Sequence, residues 1–161
     1  VGKTSVRFDG AAYYLKTTPF TLNQPETVYL VGKQVTWTIN TYVFDSNTNL
    51  NGAIFRSGTT PTIQAYAGSG ITSAAWPIGT NAIIASQFNG AASALRANLG
   101  TATTGDTGAG NMGGFALGSN TAGSGWGNIQ VEEVLIFSAA HDTVTQNRVV
   151  AYLGRKWGIA V

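Results

Sequence analysis

Apolar and polar residues alternate along most of this chain with a period of two. In SVRFDG, Val6 and Phe8 alternate with Arg7 and Asp9 before Gly10 stops the run. Short segments of this kind recur at YYLKT, ETVYLVGKQV, YVFDS, AIFRS, TIQAYAG, AIIASQFNG, SALRANL, GFALGS and NIQVEEVLIF. Each is rich in Val, Ile, Phe, Tyr or Thr and is bounded by Gly, Asn or Pro. Successive side chains of a strand point to opposite faces, so such runs mark strands with one face in a core. About ten strands are expected from these signals. No helical pattern lies between them, which excludes βαβ units and leaves an all-β antiparallel sandwich. The Gly/Thr/Ala-rich residues 100–114 read as a long loop.

One segment departs from the pattern. In residues 141–159, Val149, Leu153 and Trp157 recur at i, i+4 and i+8, with Val150 beside them. This is the apolar stripe of an amphipathic helix. Asp142 is the expected N-cap, its carboxylate accepting free amide hydrogens of the first turn. Arg155 and Lys156 complement the helix dipole at the other end, and Gly158 stops the helix. A single domain over residues 1–161 is expected, closed by one C-terminal α-helix that Trp157 anchors in the core.

Composition narrows the partners. Charged residues are 10% of the chain, against about 25% in typical soluble domains, so Thr, Ser, Asn and Gly must carry the surface. The nine Lys and Arg are scattered, and the net charge is +2. No basic stripe suited to nucleic acid is present, nor an apolar run for membrane insertion. The absence of cysteine excludes disulfides and thiolate metal sites.

Three segments together resemble one family: SVRFDGAAYYLK, FNGAASALRANL and VEEVLIFSAAHDTVTQNRVVAYLGRKWGI. They are similar to the concanavalin A-like (laminin-G-like) jelly-roll modules of bacterial extracellular and tailed-phage structural proteins. The resemblance implies a jelly-roll sandwich in which a strand pair near the start lies beside the final strand and helix. It also implies that Glu133 is a half-buried glutamate bonded to a neighbouring loop or helix. His141 departs from the family pattern, which usually has Leu there. The fold hosts lectins, glycanases, adhesion modules and structural domains, so function must come from the site.

Glu132 and Glu133 invite a catalytic reading. Glycosidases need two carboxyls about 5–9.5 Å apart. In a regular strand these neighbours face opposite ways, with Glu133 on the face of Val131, Leu135 and Phe137, so a catalytic pair is not expected. DSNTNLNG, residues 45–52, spaces oxygen ligands as a calcium loop would. It holds only one carboxylate, however, and Asn51-Gly52 reads instead as a hairpin turn. No cofactor is expected, with calcium kept open because related lectin-like modules bind it through loops. GAGNMG, residues 108–113, matches a dinucleotide fingerprint in letters but lacks its strand, helix and acid. His141, the only histidine, has no second His or Cys to complete a zinc site.

The aromatic residues carry the stronger signal. Sugar rings present apolar C–H faces that stack on flat aromatic side chains, while amides and carboxylates bond the hydroxyls. Trp76 and Trp126 sit in Gly/Pro-flanked segments, either stacking platforms or caps on the core. Polar contacts are expected from Tyr66, Gln64, Asn128, Asp45 and Asn47. The reading is a non-catalytic, glycan-binding module of an extracellular or virion-surface protein. Two alternatives remain: a structural domain that braces other subunits of an assembly, and a disfavoured glycan hydrolase or lyase.

Overall fold

The computed structural model describes residues 3–161, with the side chains of all of these except Ser73 and Ala74. Among the described residues there are twelve strands and one helix. One six-stranded sheet runs in the order β1 (Val6–Asp9), β12 (Asn128–Phe137), β3 (Glu26–Gln34), β8 (Asn81–Phe88), β9 (Ser93–Ala97), β10 (Thr103–Gly105). The other runs β2 (Leu15–Lys16), β11 (Phe115–Leu117), β4 (Tyr42–Ser46), β5 (Ala53–Phe55), β6 (Thr62–Tyr66), β7 (Gly70–Ala75). Neighbouring strands pair antiparallel throughout. Helix α1 (Thr143–Trp157) follows β12.

The main core fills the space between the sheets. Phe8, Val28, Leu30, Ile84 and Ile129 from the first sheet meet Phe44, Ile54, Ile63 and Trp76 from the second sheet and its loops. A smaller core lies on the other side of the first sheet. There Tyr29, Val31, Ile83 and Ala85 are covered by Val150 and Leu153 of α1. Strands β3 and β8 are therefore buried on both faces, which is why they read as continuous apolar runs rather than alternating ones. The helix ends as the sequence predicts. The Asp142 carboxylate accepts from the Thr145 amide at 2.7 Å, and Gly158 closes the helix in the left-handed conformation at φ 70°.

Four sequence expectations need correction. Strands β7 and β10 were not expected. GITSAA and TTG carry small or polar residues with no alternating apolar set, and β10 is a three-residue edge strand inside the predicted loop. The link from β4 to β5 is a six-residue loop, residues 47–52, not a two-residue Asn51-Gly52 turn. Its shape is set by the Asp45 carboxylate, which accepts from the amides of Ser46 and Leu50, with Leu50 at φ 64°. The β12 register shifts between Val131 and Glu133. The extra residue of this bulge breaks the alternation, so Val131 faces the main core while Glu133 and Leu135 face the helix. Finally, Trp157 packs against the smaller core but remains half-buried.

Glu133 fastens the helix. Its carboxylate accepts from the Trp157 ring N–H at 2.5 Å and from Lys156 at 2.7 Å. Burial raises its pKa, but the bonds from Lys156 and Trp157 outweigh that and leave it below the ordinary 4.5. Its contribution is thus present above pH 4.5 and is lost as the pH falls through the lower folded value. Glu133→Ala is expected to destabilise the fold by about 1–2 kcal/mol, because a half-buried indole N–H loses its acceptor. Thermal melts at pH 7 and pH 3 check this, and the difference between variant and parent should shrink at pH 3.

Candidate ligand-binding face

On strands β5 and β6, Ile54, Ile63 and Ala65 point into the main core. Alternation then places Phe55, Gln64 and Tyr66 on the outer face of the second sheet. Tyr42, the register partner of Phe55, joins them. The rings form a continuous strip. Tyr42 stacks on Phe55 with centroids 5.3 Å apart, and Phe55 meets Tyr66 edge-on at 6.2 Å. Gln64 lies opposite Phe55 on one side and Thr72 on the other. All four strip residues are half-buried.

Glycine shapes this surface. A Cβ at Gly70 would come within 2.2 Å of the Gln64 amide nitrogen and 3.0 Å of the Tyr66 ring. A side chain there would force the Gln64 amide to swing aside and would crowd the Tyr66 ring. At the other end, residues 118–127 fold over β4. A Cβ at Gly125 would sit 2.8 Å from the Tyr42 ring. Burial raises the pKa of the Tyr42 hydroxyl, Asp45 raises it further, and a hydrogen bond with Asn120 opposes both. Tyr42 is therefore a neutral hydroxyl beside an amide.

Of the residues expected at a site, Gln64 and Tyr66 lie on the strip, and Trp126 borders it by bridging Tyr42. The others do not join them. Trp76 is 0% exposed; its ring closes the core and its N–H donates to the Thr80 carbonyl at 3.1 Å, so no face is left for stacking. Asp45 is also 0% exposed, its carboxylate spent on the amides of Ser46, Leu50 and Thr121. This leaves it no free oxygen for a sugar hydroxyl or a cation, although burial raises its pKa against those bonds. Asn47 is held by backbone bonds to Met112 and Gly114, with its side-chain oxygen buried. Asn128 stands in the first sheet opposite Asp9, against Gly10. Among the described residues no three His, Asp or Glu side chains gather to hold a metal ion.

The sequence reading missed Phe55 and passed over Tyr42 as a site residue. The signal was present: with Ile54 inside, period two sends Phe55 outside. Chemically the strip is neutral and bounded by amides and hydroxyls. Of the seven acidic residues, all described, only Asp45 stands on the second sheet, and it is sealed.

No known family profile matches the chain, and no curated protein matches it either. Solved structures do. Domain 4 of an extracellular GH43 arabinanase from Geobacillus stearothermophilus, in complex with arabinotriose, superposes with a TM-score of 0.66 at 17% identity, over 92% of this chain and 82% of that one. A heptameric SAP-like pentraxin from Limulus polyphemus gives 0.64 at 14% identity, over 92% and 82%. The Trypanosoma rangeli sialidase in complex with sialic acid gives 0.66 at 9% identity, over 94% of this chain but only 28% of the sialidase. The fold is thus the concanavalin A-like jelly-roll sandwich that the sequence resemblance implied.

Proposed function

We propose that this domain is a non-catalytic carbohydrate-binding module, held in an extracellular or virion-surface protein and presented to polysaccharide. The carrying observation is the Tyr42–Phe55–Tyr66 strip with Gln64 on its flank. The three half-buried rings give a sugar a contiguous aromatic surface to pack its C–H face against, and the amides and hydroxyls beside them suit ring hydroxyls. The neighbours in complex with arabinotriose and sialic acid lend support. A hydrolytic role has less to draw on, since a glycosidase places two carboxyls across the scissile bond and the strip adjoins only the sealed Asp45. Among the described residues no helix is long and apolar enough to cross a membrane. A shallow face binds each sugar weakly, so several copies on one assembly would supply avidity.

A glycan array followed by titration calorimetry tests the reading. Tyr66→Ala or Phe55→Ala is expected to weaken binding about 5- to 30-fold, the loss of one stacking ring. Gly70→Val is expected to weaken it by swinging the Gln64 amide aside and crowding the Tyr66 ring. A blank array together with self-association in solution would favour the bracing role instead. Release of reducing sugar from any polysaccharide would overturn the non-catalytic assignment.

A further inference from the structure

The opposite side of the molecule holds a cleft that the aromatic strip does not explain. Its volume is about 640 Å³. Arg96, Ala94, Gln87 and Thr104 line it from β8, β9 and β10, and His141 and Gln146 line it from the start of α1. Arg96 is the register partner of Ala85, which faces the helix, so its side chain rises on the same outer face.

Arg96 is only 5% exposed, yet its Nε and Nη2 have no hydrogen-bond partner. Nor does an acid neutralise it. Asp142, the one acidic residue lining the cleft, is exposed and caps the helix through the Thr145 amide at 2.7 Å. Gln146 and Gln87, in the same lining, are already committed. Gln146 donates to the His141 carbonyl at 2.9 Å and to Gln87 at 3.3 Å, and Gln87 donates to the Ala92 carbonyl at 3.1 Å. His141 Nδ1 is bonded to the Tyr29 hydroxyl at 2.8 Å, leaving its second ring nitrogen unused. Burying a cation without a partner is costly, and this one lines the cleft. Burial also lowers the pKa of the guanidinium, with the Tyr29 hydroxyl opposing.

We propose that this cleft is a second ligand site, which binds a carboxylate-bearing small molecule with the Arg96 guanidinium as its counter-charge. The planar fork of arginine matches a carboxylate with two parallel N–H donors. A cleft of this size has room for a sugar ring behind the carboxylate, so a uronic acid residue fits the description. The site is independent of the aromatic strip, which lies on the other sheet.

Nitrogen-15 NMR of the whole domain, titrated with galacturonate, acetate and glucose, tests the proposal. Galacturonate is expected to shift the Arg96 Nε–H signal saturably, and glucose to leave it in place. An equal response to acetate would identify the carboxylate alone as the ligand and would still support the site. Arg96→Met is expected to weaken binding ten- to a hundredfold while raising the melting temperature by a few degrees, because a buried unpaired charge is removed. Ala94→Leu leaves Arg96 intact, fills the cleft and is expected to block binding. Tyr66→Ala should bind galacturonate unchanged at this site, which separates failure here from failure of the strip. An Arg96 signal that ignores both carboxylates, or unchanged affinity in Arg96→Met, would overturn the proposal.

Discussion

Arg56→Ala is expected to destabilise the domain by about 3–5 kcal/mol, the largest effect of any single substitution considered, because it empties a buried polar knot. Arg56 is 0% exposed. Its Nε donates to Gln34 at 2.5 Å, Nη1 to the Thr41 hydroxyl at 2.6 Å and Nη2 to the Asn128 carbonyl at 3.2 Å. Gln34 in turn donates to the Trp76 carbonyl at 2.7 Å. One guanidinium thus ties β3, β5 and β12 together across both sheets, beside the tryptophan that closes the core. Burial draws its pKa down to about 10, so it is still charged at neutral pH. Truncation leaves a cavity and strips the Gln34 side-chain oxygen of its donor, while the Asn128 carbonyl keeps the Val35 amide and the Thr41 hydroxyl keeps its bond to the Thr38 carbonyl. Replacing Arg56 by Met and Gln34 by Leu together should recover part of the loss, because apolar groups then fill the space and the Gln34 oxygen leaves with its donor, at the cost of the bond to the Trp76 carbonyl. Urea denaturation of the two variants checks this. A double variant as unstable as Arg56→Ala would locate the effect in shape rather than in the polar bonds.

Stability is also expected to fall as the pH rises from acid to neutral, on account of Glu26. This residue begins β3 on the same face as Val28 and Leu30, and its carboxylate lies near Gly52 and Met112. It is 0% exposed, and neither oxygen has a partner. Burial pushes its pKa from 4.5 up to about 8. Below pH 4.5 the carboxyl is protonated in both folded and unfolded chains, and the fold pays nothing for it. Above that, the unfolded chain releases its proton while the folded chain keeps it, at about 1.4 kcal/mol per pH unit. The loss reaches about 3 kcal/mol at pH 7 and levels off above pH 8. Glu26→Gln is neutral at every pH and should flatten this slope. Urea midpoints for both proteins at pH 5, 6, 7 and 8 give the difference directly, and parallel curves would show that the carboxyl ionises freely in the fold. Eight residue steps along β3, about 26 Å, separate Glu26 from the Gln34–Arg56 knot, so acid and base cannot neutralise each other.

How much of this was legible in the sequence depended on what each residue's placement required. Strands such as β6 announce themselves, because TIQAY alternates without interruption, and the same alternation sends Gln64 and Tyr66 outward. The ends of α1 were equally plain, since Asp142 and Gly158 act through their own backbone neighbourhood. The two tryptophans in loops were harder. Gly and Pro around Trp76 mark a turn but do not say to which side the turn folds. That was decided by Gln34 and Pro61, distant in sequence, whose bonds draw the Trp76 backbone over the core. The bulge at Glu132 is invisible to a rule that counts in twos. Arg96 was least legible of all: as a lone basic residue on a strand it reads as a solvated charge. Only the helix laid over β3 and β8 beside it turns it into the floor of a cleft.

The place of β12 has a consequence for how the molecule is made. It is the last strand in the chain, yet it lies inside the first sheet, with Val6 paired to Val131 on one side and Leu30 to Val134 on the other. A nascent polypeptide leaving the ribosome therefore carries β1 with nothing to pair to and β3 with one flank bare. Closure across so long a stretch is slow by topology alone. Until it happens, the growing chain presents sticky, half-built sheets to whatever chaperone or neighbour it meets.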